Sequence, residues 1–290
     1  MCYADFVRSR GTRFQHYSVV AFRNSSQYPK LESGTRSKKR MNLTGKRALV
    51  TGGTKGIGGA IAIDLARQGC DVVINGRHDD EAAAAVRQAI STTSRKCVTL
   101  IGDISRPDEV ERIVRETEAS LGGLDILVHS AGGPSFGTID ECSPEQWKAT
   151  FDVHVHAAYF LCRRALPLMR KAGEGVVILV SSVAGIRGCP GAIAYGTAKA
   201  AILHFTRMLA RDEADHNIRV NCIAPGIIRT RFHENMTPEA KAHNLAVRIP
   251  LHREGTPEQV AEAVRVLVTN DFITGELLVV DGGCSMQVCR

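Results

Sequence analysis

Seven short runs of aliphatic and β-branched residues alternate with longer helical segments between residues 46 and 280. That alternation closes off most folds before any single residue is weighed. Arg47 to Thr51 begins the series. A glycine-rich turn follows, then a helix of Ala, Ile and Leu that runs to Gln68 and stops at Gly69. Further strands are expected at 72–74, 98–101, 125–129, 176–180, 218–223 and 277–280. Further helices are expected at 79–90, 107–121 (opened by Pro107), 144–171, 194–214, 237–247 and 257–269. Strands joined through helices run parallel, with right-handed crossovers and both sheet faces covered. The strands are almost wholly apolar, as burial on both faces requires. No linker divides residues 42–290, so the expectation is one α/β domain around a doubly wound parallel sheet.

Charge separates that domain from what precedes it. The chain of 290 residues carries a formal +7. Residues 1–40 hold nine Lys or Arg against two acids, which accounts for the whole excess; the remainder has 28 of each sign. A neutral body gives no support to a nucleic-acid partner. The segment 1–41 is Arg- and Ser-rich with no sustained period, and Met41 precedes Asn42-Leu43-Thr44-Gly45-Lys46 in the manner of a natural start. It is read as a disordered basic extension from an upstream start codon, with a transit peptide or a solvated tail as alternatives. No run approaches the roughly 18 apolar residues that span a bilayer, so no membrane is expected. The nine cysteines are odd in number, scattered and without a C-x-x-C pair. They point to a reducing, cytoplasmic setting and to no metal site.

The first strand runs into Thr51-Gly52-Gly53-Thr54-Lys55-Gly56-Ile57-Gly58. Gly52, Gly56 and Gly58 at a strand–turn–helix junction suit a pyrophosphate approaching backbone N–H groups, where Cβ atoms would block it. Thr54, Lys55 and Ile57 lie in the same turn. At the end of the second strand stands Arg77, with no acid at the strand tip to take a ribose 2′-hydroxyl. Arg77 and Lys55 together point to NADP(H), with NAD(H) possible.

Three of the five tyrosines, Tyr3, Tyr17 and Tyr28, lie in the extension. In the body, Tyr195 precedes Lys199 by one helical turn, on one helix face. A neighbouring ammonium favours the phenolate and lowers a tyrosine pKa from its usual value near 10, which makes the phenol usable in acid–base work. Tyr159 has Arg163 at the same spacing but no comparable loop or glycine turn, and is read as a packed helix aromatic. Ser182 stands just after the fifth strand, where an open α/β sheet faces its ligand crevice.

The ordered set of glycine turn, Ser182, Tyr195 and Lys199 resembles the short-chain dehydrogenase/reductase family over essentially all of 42–290. The resemblance implies a Rossmann-type sheet. It implies that Ser182 positions a carbonyl or alcohol, Tyr195 exchanges its proton, and Lys199 holds the nicotinamide ribose and tunes the tyrosine. It also implies an adenine contact at Asp103 and Ile104, a turn at Ala131-Gly132, and carboxamide-side contacts at Pro225, Gly226, Ile228 and Thr230. Thr274-Gly275 and Asp281-Gly282-Gly283 resemble the family's C-terminal signature. Two departures stand out. His129-Ser130 replaces the usual Asn-Asn before Ala131-Gly132, and His154 falls where the family uses an asparagine in a water-mediated proton relay from the lysine. An imidazole titrates near pH 6.5, so His154 is expected either to support the relay with greater pH sensitivity or to be a tolerated substitution.

These residues imply an NADP(H)-dependent oxidoreductase acting on a carbonyl or secondary alcohol, with a non-catalytic nucleotide-binding protein as the alternative. The substrate is a small molecule, with a 3-oxoacyl thioester, a sugar acid and a small ketone all open. Residues 227–250 are expected to form a lid, with Arg231, Phe232 and His233 as contacts, and 134–136 and 185–194 to line the rest of the pocket. Gly173 and His216 stand where acyl-carrier reductases tend to carry docking bases, although Arg170 and Lys171 are close. The family usually assembles as a homo-oligomer, a tetramer or dimer.

Overall fold

The computed structural model describes residues 40–230 and 236–286. The basic extension as far as residue 39, and the contacts expected of Arg231, Phe232 and His233, lie outside the described residues. The chain begins with β1 (Arg47–Thr51), α1 (Gly56–Arg67), β2 (Asp71–Gly76), α2 (Glu81–Ser91), β3 (Cys97–Ile101), α3 (Pro107–Leu121) and β4 (Ile126–His129). It continues through α4 (Pro144–Phe151), α5 (Ala157–Ala172), β5 (Gly175–Val180), α6 (Ile193–Glu213), β6 (Ile218–Pro225), α7 (Pro238–His243), α8 (Pro257–Thr269) and β7 (Leu277–Val280).

The seven strands form one parallel sheet in the order β3-β2-β1-β4-β5-β6-β7. The chain builds outward from β1 to β3, then returns to lay β4 on the other side of β1, so the winding direction reverses between β1 and β4. Ala48 pairs with Ile126 and Thr51 with His129 across this junction. Arg47 closes its lower end, Nε and Nη2 each donating to the Asp125 carboxylate at 2.8 Å across 78 positions of chain.

Alternation along the strands explains their unbroken apolar character. Ala48, Val50, Val72, Ile74, Ile126, Val128, Val176 and Ile178 point to one face, where α1 and α8 cover them with Ile61, Leu65, Val260, Val264 and Leu267. Their neighbours Leu49, Val73, Leu127, Val177 and Leu179 point to the other, against Val110 and Ile113 of α3, Leu161 and Met169 of α5 and Ile202 of α6. Side chains alternate with period two, and both sets are buried because helices cover both faces. Each fully buried Leu or Ile contributes roughly 1.5–3 kcal/mol of transfer free energy.

The segment expected as one helix over 144–171 is two helices joined by a π-helical turn at Asp152–His156. The Ala157 N–H reaches back to the Asp152 carbonyl, five residues away. Within that turn the His154 carbonyl accepts from His129 Nε2 at 3.3 Å, a side-chain partner that periodicity cannot reveal. The helix expected over 237–247 likewise ends at His243 and continues as a wide turn through Arg248. Among the described residues, no helix is long and apolar enough to cross a membrane.

Candidate active site

A cleft of about 1440 Å³ opens at the C-terminal end of the sheet, around the β1–β4 junction, where open α/β sheets bind ligands. Every expected site residue among those described lines it: Gly52, Thr54, Lys55, Gly56, Ile57, Gly58, Arg77, Asp103, Ile104, Ala131, Gly132, His154, Ser182, Tyr195, Lys199, Pro225, Gly226, Ile228 and Thr230.

At one end the surface is backbone. Gly52 has φ +66, and a Cβ there would come within 2.7 Å of the Ala131 Cα. The β1 turn and the loop after β4 can therefore touch only because residue 52 has no side chain. A Cβ on Gly58 would fall on the Gly52 carbonyl oxygen. Helix α1 begins here with no side-chain cap and no acid in its first turn, whereas Asp80 caps α2, Ser143 caps α4 and Thr256 caps α8. Its N–H groups and positive dipole end thus stay open to an anion. Lys55 and Arg77 are exposed on the rim; Lys55 Nζ lies 4.0 Å from Asp80 Oδ2. The Thr54 side chain packs where a Cβ on Gly76 would stand, closing the end of β2. Asp103 Oδ1 accepts from the Ser105 N–H at 3.0 Å, which fixes that carboxylate in its loop. An uncapped helix start behind a side-chain-free turn, with two cations at the rim, fits a dinucleotide pyrophosphate and a further phosphate.

The middle of the cleft brings Ser182, Tyr195 and Lys199 together. Two glycines that sequence reading passed over make this possible. A Cβ on Gly185 would stand 2.6 Å from the Lys199 carbonyl carbon, and one on Gly196 3.0 Å from the Ala184 oxygen. Helix α6 can therefore lie against the short 3₁₀ turn that follows Ser182. The Ser182 hydroxyl accepts from Ala184 N at 3.2 Å and is hydrogen-bonded to the Tyr195 phenol. Lys199 Nζ donates to the Val180 carbonyl at 2.7 Å and lies 5.6 Å from the Tyr195 ring centroid.

The electrostatics differ from expectation. Burial raises the Tyr195 pKa above its usual value; the Ser182 hydrogen bond opposes that shift without reversing it, and Lys199 is not among its causes. Desolvation outweighs the Ser182 hydrogen bond, so the phenol is held protonated at neutral pH. Burial also lowers Lys199 to about 8. The expected lowering of Tyr195 by Lys199 is thus absent. Tyr159 is also corrected: it lies exposed on α5, hydrogen-bonded to Arg163 Nη1 at 2.9 Å.

His154 is buried with its ring edge-on to Tyr195, centroids 5.5 Å apart at 80°. Its Nε2 donates to the Gly133 carbonyl at 3.1 Å, which fixes the neutral tautomer with the proton on Nε2, and the buried Nδ1 has no partner among the described residues. Desolvation, then the Lys199 charge, push its pKa down to about 2. His129, fully buried behind it between Thr51 and the His154 carbonyl, is pushed down to about 3 by the same two causes. The expectation of a His154 that titrates near pH 6.5 is therefore overturned: the imidazole stays neutral because burial penalises its charged form and a cation lies close. A Cβ on Gly132 would overlap this ring, so the glycine after β4 makes room for the histidine.

At the far end, the expected loops supply Pro134, Ser135, Phe136, Cys189 and Ala192. Sequence reading missed Gln146, Ala149, Thr150 and Val153 of α4 and its turn. Their spacing of three, four and seven marks one helix face, and that was the signal available.

Comparison with known proteins agrees with this geometry. A family model described as enoyl-(acyl carrier protein) reductase matches residues 52–285, from the glycine turn to the C-terminal signature. A 3-oxoacyl-[acyl-carrier-protein] reductase FabG from Chlamydia muridarum is 36% identical over 243 residues, covering 83% of this chain and 98% of the relative. Human dehydrogenase/reductase SDR family member 4 is 38% identical over 248 residues, covering 83% and 88%. A Burkholderia cenocepacia short chain dehydrogenase solved in complex with NADP superposes with TM-score 0.78 at 34% identity, over 84% of this chain and 99% of that one. The fold and these relatives define the chain as an NAD(P)-type oxidoreductase acting on C=O and CH–OH groups. It belongs to the short-chain dehydrogenase/reductase family.

Proposed function

We propose that the protein is an NADP(H)-dependent reductase of a carbonyl substrate, or dehydrogenase of the matching secondary alcohol, with Ser182, Tyr195 and Lys199 as its catalytic residues. The observation that carries this reading is the convergence of those three side chains beside the glycine cradle. A nicotinamide dinucleotide held by these residues would supply a hydride to the substrate carbon in reduction, when reduced, and accept one from it in oxidation, when oxidised. Ser182 donates a hydrogen bond to the substrate oxygen and polarises it. Tyr195, protonated at neutral pH, gives its proton to that oxygen in reduction and recovers it in oxidation. Lys199, anchored to the Val180 carbonyl, offers its remaining N–H groups to the ribose and stabilises the phenolate left behind. Gly52, Thr54, Lys55, Gly56, Ile57 and Gly58 hold the pyrophosphate side, Asp103 and Ile104 the adenine side. Ala131, Gly132, Pro225, Gly226, Ile228 and Thr230 hold the nicotinamide side.

Lys55 and Arg77 support NADP(H) over NAD(H), and the Burkholderia relative was solved with NADP. Relatives named as 3-oxoacyl-carrier-protein reductases make a 3-oxoacyl thioester one substrate to try. Arg170, one of the two bases near the expected carrier-docking site, is already held by the buried Glu213. Cys70, Cys97, Cys142, Cys162, Cys189 and Cys222 stand as thiols, the form that a reducing, cytoplasmic setting preserves. Val266 and Phe272, exposed at the end of α8, and Val279 on the edge strand β7 support a homo-oligomer. Sedimentation velocity tests that part. The main test follows NADPH and NADH oxidation in parallel over a carbonyl panel. Turnover faster with NADPH is expected; dinucleotide binding with no turnover on any carbonyl sinks the reading.

A further inference from the structure

The helix that carries Tyr195 and Lys199 starts without a side-chain cap of its own. Its N-cap residue is Ala192, which has no group to cap with. The first N–H groups of a helix need acceptors from elsewhere. For Ile193 the acceptor is the Gly137 carbonyl, at 3.2 Å, in the loop that follows β4. Tyr195 stands two residues further along the helix.

Gly137 has φ +139, a conformation that residues with a side chain rarely adopt. The two peptide groups that meet there are held at both ends. In the Phe136–Gly137 peptide, the oxygen accepts from Gln146 Nε2 at 2.6 Å and the N–H donates to the Gly191 carbonyl at 2.8 Å. In the next peptide, the oxygen accepts from Ile193 and the Thr138 N–H donates to Glu141 Oε2 at 2.9 Å. Gln146 Nε2 also donates to Ser135 Oγ at 3.1 Å, so two acceptors fix its amide. Its backbone is anchored as well: the Gln146 N–H donates to the cap Ser143 at 3.2 Å, and its carbonyl accepts from Thr150 Oγ1 at 2.8 Å. Helix α4 therefore holds a loop peptide, and that peptide and its neighbour hold the start of α6.

We propose that Gln146 is a positioning residue for the reaction: through the Phe136–Gly137 peptide it sets the start of α6, and with it the place of the Tyr195 phenol beside Ser182. This rests on the reading of the cleft as a carbonyl-reducing site. Without the Gln146 donor the peptide can turn about its flanking bonds, and the bonds to Gly191 and Ile193 loosen with it. Glycine at 137 makes that turn easy, because no side chain resists it. Proton transfer from Tyr195 depends on its reach to the substrate oxygen, and a displacement of about 1 Å can cost on the order of a hundredfold in rate. The glycine turn after β1 takes no part in these bonds, so dinucleotide binding is spared.

The experiment compares the wild type with two variants. Gln146→Met keeps the reach and loses both N–H donors; Gln146→Lys carries N–H donors on a chain of similar reach. Gln146 is half-buried at the cleft edge, so both variants are expected to fold. Steady-state kinetics with NADPH use the best carbonyl of the panel, calorimetry gives NADPH affinity, and hydrogen–deuterium exchange is followed peptide by peptide. For Gln146→Met, kcat falls on the order of tenfold to a hundredfold, while KM and NADPH affinity stay within about threefold. Exchange quickens over 135–138 and 191–196 and nowhere else. Gln146→Lys recovers most of the kcat and the slow exchange. A raised KM with kcat unchanged makes Gln146 a substrate contact and overturns the proposal. Full kcat despite quickened exchange overturns it too, as does lost kcat with exchange unchanged. Exchange quickened along the whole chain, or Gln146→Lys no better than Gln146→Met, marks a merely structural loss and sinks it equally. All of these leave the enzymatic reading intact, since the wild type still turns over. NADPH binding by the wild type without turnover of any carbonyl removes that reading and this inference with it.

Discussion

At the dinucleotide end of the cleft, backbone makes the surface: Gly52 lets two loops touch, Gly58 lets helix α1 rise against the turn, and the helix start is left uncapped. At the substrate end, side chains make it: Gln146 donates to Ser135 Oγ and to the Phe136 carbonyl, Thr150 Oγ1 donates to the Gln146 carbonyl, and the Phe136 ring is exposed beside them. The first surface tolerates few substitutions, because a Cβ on Gly52 or Gly58 meets main-chain atoms that cannot move aside. The second is made of groups at the ends of side chains or on loops, where exchange alters what binds and spares what folds. One end therefore constrains the reaction type, and the other leaves the substrate open to change.

The largest expected effect falls where the two ends meet. Tyr195→Phe removes the proposed proton donor and should lower kcat for reduction by roughly 10²–10⁴-fold, with dinucleotide affinity by calorimetry unchanged. An equal loss of affinity would assign Tyr195 to binding. Next comes Gly58→Ala. Its Cβ falls on a backbone oxygen, so dinucleotide affinity should drop on the order of a hundredfold, with about 1–3 kcal/mol lost in urea melts. If Phe136→Ser weakens dinucleotide binding as much, the contrast between the two ends fails.

A subtler probe is the contact between Gly132 and His154. Gly132→Ala should destabilise by about 1–3 kcal/mol. Gly132→Ala combined with His154→Ala should lose less than the sum of the single losses, by about 1 kcal/mol, because the overlapping ring is gone. Strict additivity would mean that the φ of +144 at Gly132, and not the imidazole, sets the cost.

The smallest effects are in pH. The unfolded chain protonates His129 and His154 near pH 6.5, while the fold holds them unprotonated down to about 3 and about 2. Stability should therefore be full above about pH 6.5 and fall as pH drops below it, on the order of 1 kcal/mol per pH unit for each histidine. His154→Asn should remove about half of that slope. The same neutrality predicts that His154→Asn leaves the pH dependence of kcat unchanged between about pH 5.5 and 7.5. A shifted profile there would restore a titrating role for the ring.

Sequence reading reached the backbone-built end and the convergence of Ser182, Tyr195 and Lys199 more fully than the rest. Glycines required by close approach, a strand-end serine and a tyrosine one helical turn before a lysine leave a fixed trace in a linear string. The five inner strands were legible for the same reason, since burial on both faces demands unbroken apolar runs; β3 and β7, at the edges, are apolar but only half-buried. The break at Asp152–His156 was not, because it follows from the His129 and Gly133 bonds to His154, partners 25 and 21 positions away. The raised Tyr195 pKa was hidden too: spacing shows that a lysine is near but not that desolvation governs the phenol. Gly185 and Gly196 look like ordinary turn and helix residues until Lys199 and Ala184 are seen against them.

The reversal of winding between β1 and β4 has a consequence for how the molecule comes into being. During synthesis β1, β2 and β3 emerge first, and the inner edge of β1 stays unpaired until β4 arrives 78 positions behind its partner. An open strand edge is a template for association with other chains, and so distant a pairing lengthens the time for which it is offered. The strand that removes this hazard is the one whose arrival creates the cleft. A ligand bound there draws the population toward the closed sheet by mass action, so adding one during refolding should raise the yield of monodisperse protein as well as its stability.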